Sequence, residues 1–147
     1  MVRALFAFIV ALLATTHDAR AMDYVSVADS SAIFYDAPSL KAKKIFVASR
    51  YLPLEQVVVL DNWIKVRDNS GALAWIEKRA LSSKRFVVVT AALGAIRHTP
   101  DENAEIFLQA RQQVALEWLE NSGAGWVKVR LQDGAAGYVK TADVWGD

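Results

Sequence analysis

The chain has 147 residues, 17 lysines and arginines, 16 aspartates and glutamates, and a formal net charge of +1 with both histidines neutral. A charge this close to zero gives no general electrostatic reason to bind nucleic acid or an anionic membrane surface. The sequence contains no cysteine, which excludes disulfide bonds, thiolate metal ligands and a cysteine nucleophile.

The first 21 residues have the order of a secretory signal peptide. Arg3 supplies a positive charge, residues 4–14 form an unbroken apolar run, and 19–21 read Ala-Arg-Ala, the small-x-small pattern that signal peptidase accepts. The run is shorter than the about 20 residues that span a bilayer, and a buried amphipathic helix is the alternative interpretation. We therefore predict a signal peptide over 1–21, cleavage after Ala21, no membrane span in the mature chain, and a periplasmic or secreted location.

The rest of the chain contains an internal repeat. Trp63–Ile76 reads WIKVRDNSGALAWI, and Trp126–Val139 reads WVKVRLQDGAAGYV. This match predicts a tandem duplication of a unit of about 60 residues. The two predicted domains are 22–84 and 85–147, with very little linker between them.

The repeat extends upstream of these stretches. AIFYDAP at 32–38 aligns with GAIRHTP at 94–100, and IFVASR at 45–50 aligns with IFLQAR at 106–111. The offset between aligned positions drifts only slightly, which small changes of loop length explain.

Each unit is predicted to consist of short strands, because its apolar runs are brief and rich in Val, Ile, Phe, Tyr and Trp. DNSG at 68–71 and QDG at 132–134 have the Asn or Asp with Gly that a tight hairpin turn needs. Each repeated stretch is therefore predicted to be a β-hairpin, followed by one 3₁₀ turn at EKRAL or KTADV. The predicted fold is all-β, with two tandem small barrels, since closure removes open sheet edges. The other predicted strands are 24–27, 54–60, 86–89 and 114–119.

Strand alternation sorts the side chains of each hairpin. Ile64 and Val66 are predicted to point into the core, because Lys65 and Arg67 between and after them are rarely fully buried. Trp63 then starts on the outer face beside two cations. The same alternation holds in the second hairpin.

These motifs resemble the bacterial SH3-like (SH3b) domain family. The resemblance rests on aromatic-x-Lys-Val-Arg, a turn with Gly, and then Trp or Tyr followed by Ile or Val, and it covers nearly the whole mature chain. The family's small-x-Val-Arg-x-x-Pro stretch is matched by Ile96–Pro100, whereas Tyr35 stands where the family prefers Arg. The Gly that the family has before its middle strand is absent from RYLPLEQ at 50–56 and from RQQVALE at 111–117.

The resemblance implies that ligands lie in a groove lined by aromatic side chains near these loops. A loop folded over each Trp is the alternative explanation of the outer aromatics. Arg97 replaces Tyr35 in the second unit and Gln112 replaces Tyr51, so the first unit is favoured if only one binds. The candidate ligand-binding residues are Tyr35, Tyr51, Trp63 and Trp75 in the first unit and Arg97, Trp118, Trp126 and Tyr138 in the second. Trp145 is expected to cap a barrel end or the junction between the units.

No constellation of catalytic residues stands out in the sequence. His98 is the single histidine of the predicted mature chain, which disfavours a zinc site. No Gly-x-Ser-x-Gly nucleophile elbow or Gly-rich phosphate loop occurs, and Asp101, Glu102 and Glu105 are interpreted as a solvated acidic patch. We predict no catalytic residues, no metal, no cofactor and no enzymatic activity.

The predicted function is that of an exported, non-catalytic binding module. The resemblance implies recognition of cell-wall peptidoglycan, through its peptide or glycan, in the envelope. An alternative is a protein–protein adaptor that binds or regulates another envelope protein, such as a cell-wall hydrolase. In a third, purely structural hypothesis, the aromatics are buried between the two units.

Overall fold

The computed structural model describes residues 23–28 and 30–147 of the chain. The predicted signal peptide and its cleavage point after Ala21 lie outside these residues. The described chain forms two seven-stranded antiparallel sheets, one from each repeat, joined by the three residues Ser83–Arg85. This confirms the predicted all-β fold of two tandem units, called here the first unit (β1–β7) and the second unit (β8–β14).

The strands of the first unit are β1 (Tyr24–Val27), β2 (Ser31–Tyr35), β3 (Lys44–Ser49), β4 (Pro53–Val59), β5 (Trp63–Arg67), β6 (Leu73–Glu77) and β7 (Leu81–Ser82). Those of the second unit are β8 (Phe86–Val89), β9 (Leu93–Arg97), β10 (Ile106–Arg111), β11 (Ala115–Gly123), β12 (Trp126–Arg130), β13 (Ala136–Lys140) and β14 (Val144–Trp145). The strand order is β3-β2-β6-β5-β4-β1-β7 in one sheet and β10-β9-β13-β12-β11-β8-β14 in the other. The identical order shows that the duplication preserved the topology, with the third strand of each unit at a sheet edge.

The repeated stretches are the predicted hairpins, β5–β6 and β12–β13. Gly71 and Gly134 in their turns have φ of 86° and 92°, the left-handed conformation that glycine adopts without steric cost. The predicted 3₁₀ turns follow at Lys78–Ala80 and Thr141–Asp143. Local turn chemistry in the sequence therefore predicted this part of the backbone correctly.

Each unit has its own apolar core, as the alternation within the hairpins predicted. Ile64 and Val66 are buried in the first unit, and Val127 and Val129 are buried at the matching positions of the second. Burial of such aliphatic side chains contributes about 1.5–3 kcal/mol each. The remaining fully buried side chains of the two cores include Val27, Leu54 and Ile76 in the first and Val87, Val89, Ile96 and Val139 in the second.

The register of the third strands corrects one part of the repeat alignment. Phe34 pairs with Phe46 across β2–β3, whereas Ile96 pairs with Leu108 across β9–β10. The alignment of IFVASR with IFLQAR is thus wrong by one residue. Burial decides the register, because it is Ala48 and Ala110 that turn into the two cores.

The same correction identifies the counterpart of Tyr51 as Gln113, not Gln112. Tyr51 and Gln113 have φ of 70° and 69°. The Tyr51 N–H donates to the carbonyl of Val27 at 2.9 Å, and the Gln113 N–H donates to that of Val89 at 2.8 Å. Both loops therefore adopt a left-handed turn before the middle strand without the glycine that normally favours it.

Candidate functional site

The outer face of the first unit carries a row of aromatic side chains across three strands. Tyr35 on β2 lies opposite Trp75 on β6, and Trp75 lies opposite Lys65 on β5. Directly opposed residues of an antiparallel sheet project from the same face, and Trp63 precedes Lys65 by two positions on β5, so it projects from that face as well. We call Tyr35, Trp63, Lys65 and Trp75 the first aromatic face.

Packing within the first aromatic face places one ring behind the others. The rings of Tyr35 and Trp63 meet edge to face, with centroids 5.2 Å apart and planes at 89°. Tyr35 is only 4% exposed, whereas Trp63 and Trp75 stay partly exposed. The Lys65 Nζ lies 5.9 Å from the centroid of the Trp75 ring. The two tryptophans thus present apolar area beside a cation, and Tyr35 supports them from below.

The second unit repeats this arrangement in a more closed form. Arg97 lies opposite Tyr138, which lies opposite Lys128, and Trp126 lies opposite Lys140. The Nζ atoms of Lys128 and Lys140 lie 5.8 and 6.0 Å from the ring centroids of Tyr138 and Trp126. Trp126 is only 6% exposed. The outer face of the second unit therefore exposes less aromatic area than the first aromatic face.

The cations of the second unit are also engaged by nearby acceptors. Arg97 Nη1 donates to the carbonyl of Ala104, and Lys140 Nζ forms an ion pair with Glu102. The hydrogen bond from Lys140, followed by the charge of that ammonium, holds the pKa of Glu102 below its ordinary value. Glu102, one of the three residues of the predicted acidic patch, thus forms an ion pair with Lys140 at the end of β13.

The two remaining candidates, Tyr51 and Trp118, lie at the junction between the units and on neither aromatic face. Tyr51 stacks on Phe86 of β8, with centroids 4.5 Å apart. The Arg85 guanidinium carbon lies 4.0 Å from the Trp118 ring centroid and 5.5 Å from that of Tyr24. Burial lowers the pKa of Arg85, and the buried Arg85 Nε and Trp118 Nε1 have no hydrogen-bond partner within the described chain.

Further contacts hold the junction together. The fully buried Ser26 Oγ donates to the carbonyl of Lys84 at 2.7 Å, and Arg85 Nη2 donates to that of Gly146 at 2.9 Å. The rings of Tyr24 and Trp145 meet edge to face, with centroids 5.2 Å apart. This contact places Trp145 at the junction, which is one of its two expected positions. The sequence pattern did not identify Ser26 and Arg85 as residues that hold the junction together. The short linker, Ser83–Arg85, was the available signal that the residues next to it pack closely.

His98 and the acidic side chains are the remaining candidates for metal binding or catalysis. His98 is exposed and stacks on Phe107, with ring centroids 4.6 Å apart. Across residues 23–28 and 30–147, no group of three or more His, Asp or Glu side chains is placed to hold a metal ion. No helix in the same part of the chain has the length and apolar character needed to cross a membrane.

Comparison with known families decides the domain type. The family model of the bacterial SH3 domain matches residues 28–83 and again residues 90–146. The chain belongs to the bacterial SH3 domain family. The first match runs from the residue after β1 through β7, and the second runs from the residue after β8 through β14, so each unit contains one bacterial SH3 domain. Domains of this type are typically non-catalytic binding modules.

Three solved structures are similar to the pair of bacterial SH3 domains. NlpC1 from Trichomonas vaginalis is 12% identical with a TM-score of 0.41 over 95% of this chain and 51% of its own. NlpC2 from the same organism is 12% identical with a TM-score of 0.39, covering 86% and 49%. An NlpC/P60 family protein from Bacillus cereus ATCC 10987 is 15% identical with a TM-score of 0.39, covering 82% and 55%. The chain spans about half the length of these proteins. A search of curated proteins gave no match.

Proposed function

We propose that this protein is an exported, non-catalytic module that binds peptides of the bacterial cell wall through the first aromatic face. The observation that carries the proposal is the pair Trp63 and Trp75, partly exposed beside Lys65 and supported by the buried Tyr35. Trp gives a large, rigid contact area at small entropic cost, and an adjacent ammonium binds a peptide carboxylate. Membership of a family whose domains bind cell-wall components supports the choice of ligand.

The two domains supply a matched test of this proposal. Lys65 and Lys128 occupy equivalent positions, each with its Nζ near an aromatic ring. We expect the purified protein to sediment with isolated cell-wall sacculi, and Lys65→Gln to weaken this binding by at least about tenfold, the effect of one lost charge-assisted hydrogen bond. Lys128→Gln should have a much smaller effect, because Trp126 beside it is buried.

Trp63→Ala should abolish sedimentation with sacculi while circular dichroism still reports the β-fold. Failure of the unmodified protein to sediment would exclude wall binding. Equal effects of Lys65→Gln and Lys128→Gln would remove the first aromatic face as its site.

A second candidate function, binding another envelope protein such as a cell-wall hydrolase, is favoured by the edge strand β3. Ile45, Phe46 and Val47 are three consecutive apolar residues of this strand, each more than half exposed. Edge strands with free backbone groups pair with extended segments of partner chains. Lys43 precedes β3 and Lys44 is its first residue. These two positive charges favour a partner segment that carries acidic residues.

Crosslinking in cells separates this function from wall binding. A photo-activatable residue at Phe46 should capture one defined envelope protein, and the same residue at Leu108, its counterpart on β10, should capture less of it. Equal capture from both positions, or capture of many unrelated proteins, would argue against a specific adaptor role for β3.

A further inference from the structure

The junction between the two SH3 domains forms a cleft of about 410 Å³. Tyr51 of the first domain and Lys84 of the linker line one side of it. The other side belongs to the second domain and consists of Phe86, Glu117, Arg130 and three residues of the hairpin turn, Leu131, Gln132 and Gly134. Neither domain contains this cleft alone, and its volume lies in the range of small-ligand sites, which often form where domains meet.

The walls of the cleft are held in a fixed arrangement. The linker is tied to the first domain by the hydrogen bond from Ser26 Oγ to the Lys84 carbonyl. Arg85 ties it to the second domain through the carbonyl of Gly146. Because Tyr51 stacks on Phe86 across the junction, the apolar wall is continuous from one domain to the next. A ligand would meet a preformed surface, which reduces the entropic cost of binding.

One wall carries an excess of positive charge. Lys84 Nζ lies 3.0 Å from Glu117 Oε2, and Arg130 Nη1 lies 3.3 Å from Glu117 Oε1. One carboxylate thus holds two cations. The side chains of Lys84 and Arg130 are still 55% and 47% exposed and keep further N–H donors for an anion.

The first domain shows what the junction adds. There the equivalent cross-strand pair is Glu55 with Arg67, at 2.8 Å, and its charges balance. Lys84 of the linker supplies the additional cation of the second domain. The additional cation therefore comes from the linker between the two domains.

We propose that this cleft is a second binding site, for the end of a short peptide that has a free carboxylate and small apolar side chains. The carboxylate binds between Lys84 and Arg130, and the apolar side chains lie against Tyr51 and Phe86. The site lies apart from the first aromatic face and goes beyond the function proposed for that face. It assigns a role to the duplication, since the site needs residues from both domains and from the linker.

Calorimetric titration of the full protein with N-acetyl-Ala-Ala tests the site directly. We expect the free acid to bind and the carboxamide to bind at least about tenfold more weakly, because the carboxamide loses the charge-assisted hydrogen bonds to Lys84 and Arg130. Lys84→Gln should weaken binding of the acid to a similar extent. Arg67→Gln, which changes the counterpart of Arg130 in the first domain, should leave it unchanged.

The stereochemistry of the peptide distinguishes its sources. Tighter binding of the D,D-peptide would indicate the peptide ends of the cell wall, and tighter binding of the L,L-peptide would indicate the C-terminus of a protein. Equal binding of acid and carboxamide would overturn the proposal, as would equal losses for Lys84→Gln and Arg67→Gln. Because a small peptide replaces sacculi here, failure of wall binding at the first aromatic face would leave this result intact.

Discussion

The ring of Tyr51 lies on the ring of Phe86, with centroids 4.5 Å apart and planes inclined by 20°. Tyr51 belongs to the loop before β4 of the first domain, and Phe86 begins β8 of the second. The contact is made from a residue with φ of 70°, a conformation that costs a non-glycine residue about 1–2 kcal/mol. The Tyr51 side chain thus stabilises the junction, although the backbone conformation at this position is one that favours glycine.

Gln113 allows the backbone cost and the ring contact to be separated. It has the same left-handed conformation as Tyr51, with φ of 69°, and its side chain is exposed. Gln113→Gly should raise the free energy of unfolding by up to about 1 kcal/mol, since the relief of strain exceeds the greater freedom of glycine in the unfolded chain. Tyr51→Gly should instead lower it, because the loss of the ring contact adds a cost of about 0.5–1.5 kcal/mol beyond the lost buried area. Urea unfolding of both variants gives the difference. Equal stabilisation by the two substitutions would mean that the Tyr51–Phe86 contact contributes nothing.

Tyr24 makes the stability of the junction depend on alkaline pH. Burial, and then the negative charge of Glu55, raise the pKa of Tyr24 above its ordinary value. Between about pH 10 and that raised pKa, the unfolded chain has lost the phenolic proton and the folded chain retains it. The folded state then binds more protons than the unfolded state, so stability falls as pH rises through this window. Tyr24→Phe should show a shallower loss of stability there, measured by urea unfolding across the alkaline range. Parallel pH profiles for the two proteins would contradict this assignment.

Gly137 is required by close packing in the second domain and not by its backbone angles. A Cβ at this position would lie 2.5 Å from Phe107 Cε1 and 2.7 Å from Ile96 Cγ2. Gly137→Ala should therefore destabilise the protein by about 1–3 kcal/mol through overpacking.

The equivalent position of the first domain supplies a control. It holds Ala74, and the counterpart of Phe107 there is the exposed Ile45. Ala74→Gly is the matched control and should cost about 0.5–1 kcal/mol, the usual penalty for glycine in a strand. Thermal unfolding distinguishes the two, and a Gly137→Ala variant as stable as the parent would contradict the packing argument.

The hairpins were predictable because local chemistry determines them. Asn or Asp with Gly specifies the turn, and strand alternation places Ile64 and Val66 inside and Trp63 and Lys65 outside. The repeat itself predicted two domains of one topology. These features depend on residues that are neighbours in sequence or directly across a hairpin.

The junction was not predictable in the same way, because it depends on how two complete sheets pack. Trp118 was expected with Trp126, yet it lies against Arg85. Trp63 and Trp126 begin the same motif, yet Trp126 is buried and Trp63 is partly exposed. The equivalent partners across the hairpins, Glu77 and Lys140, differ in charge, and the sequence alone does not reveal what packs over either ring.

Ser26 couples the first domain to the linker, and its removal should weaken both stability and the proposed carboxylate site. Its side chain is fully buried, and its Oγ donates to the Lys84 carbonyl at 2.7 Å. Ser26→Ala leaves that carbonyl without this donor, at a cost of about 1–2 kcal/mol, or roughly 4–8 °C in melting temperature.

Ser82→Ala is the matched control for Ser26→Ala. Ser82 Oγ also binds the backbone of Lys84, accepting a hydrogen bond from its N–H at 3.0 Å, but in an exposed position. Its melting temperature should change far less, because water replaces the lost partner. With the linker less constrained in Ser26→Ala, binding of N-acetyl-Ala-Ala should weaken as well, whereas binding to sacculi through the first aromatic face should persist. Equal melting temperatures for the two alanine variants would show that burial of this hydrogen bond does not stabilise the junction.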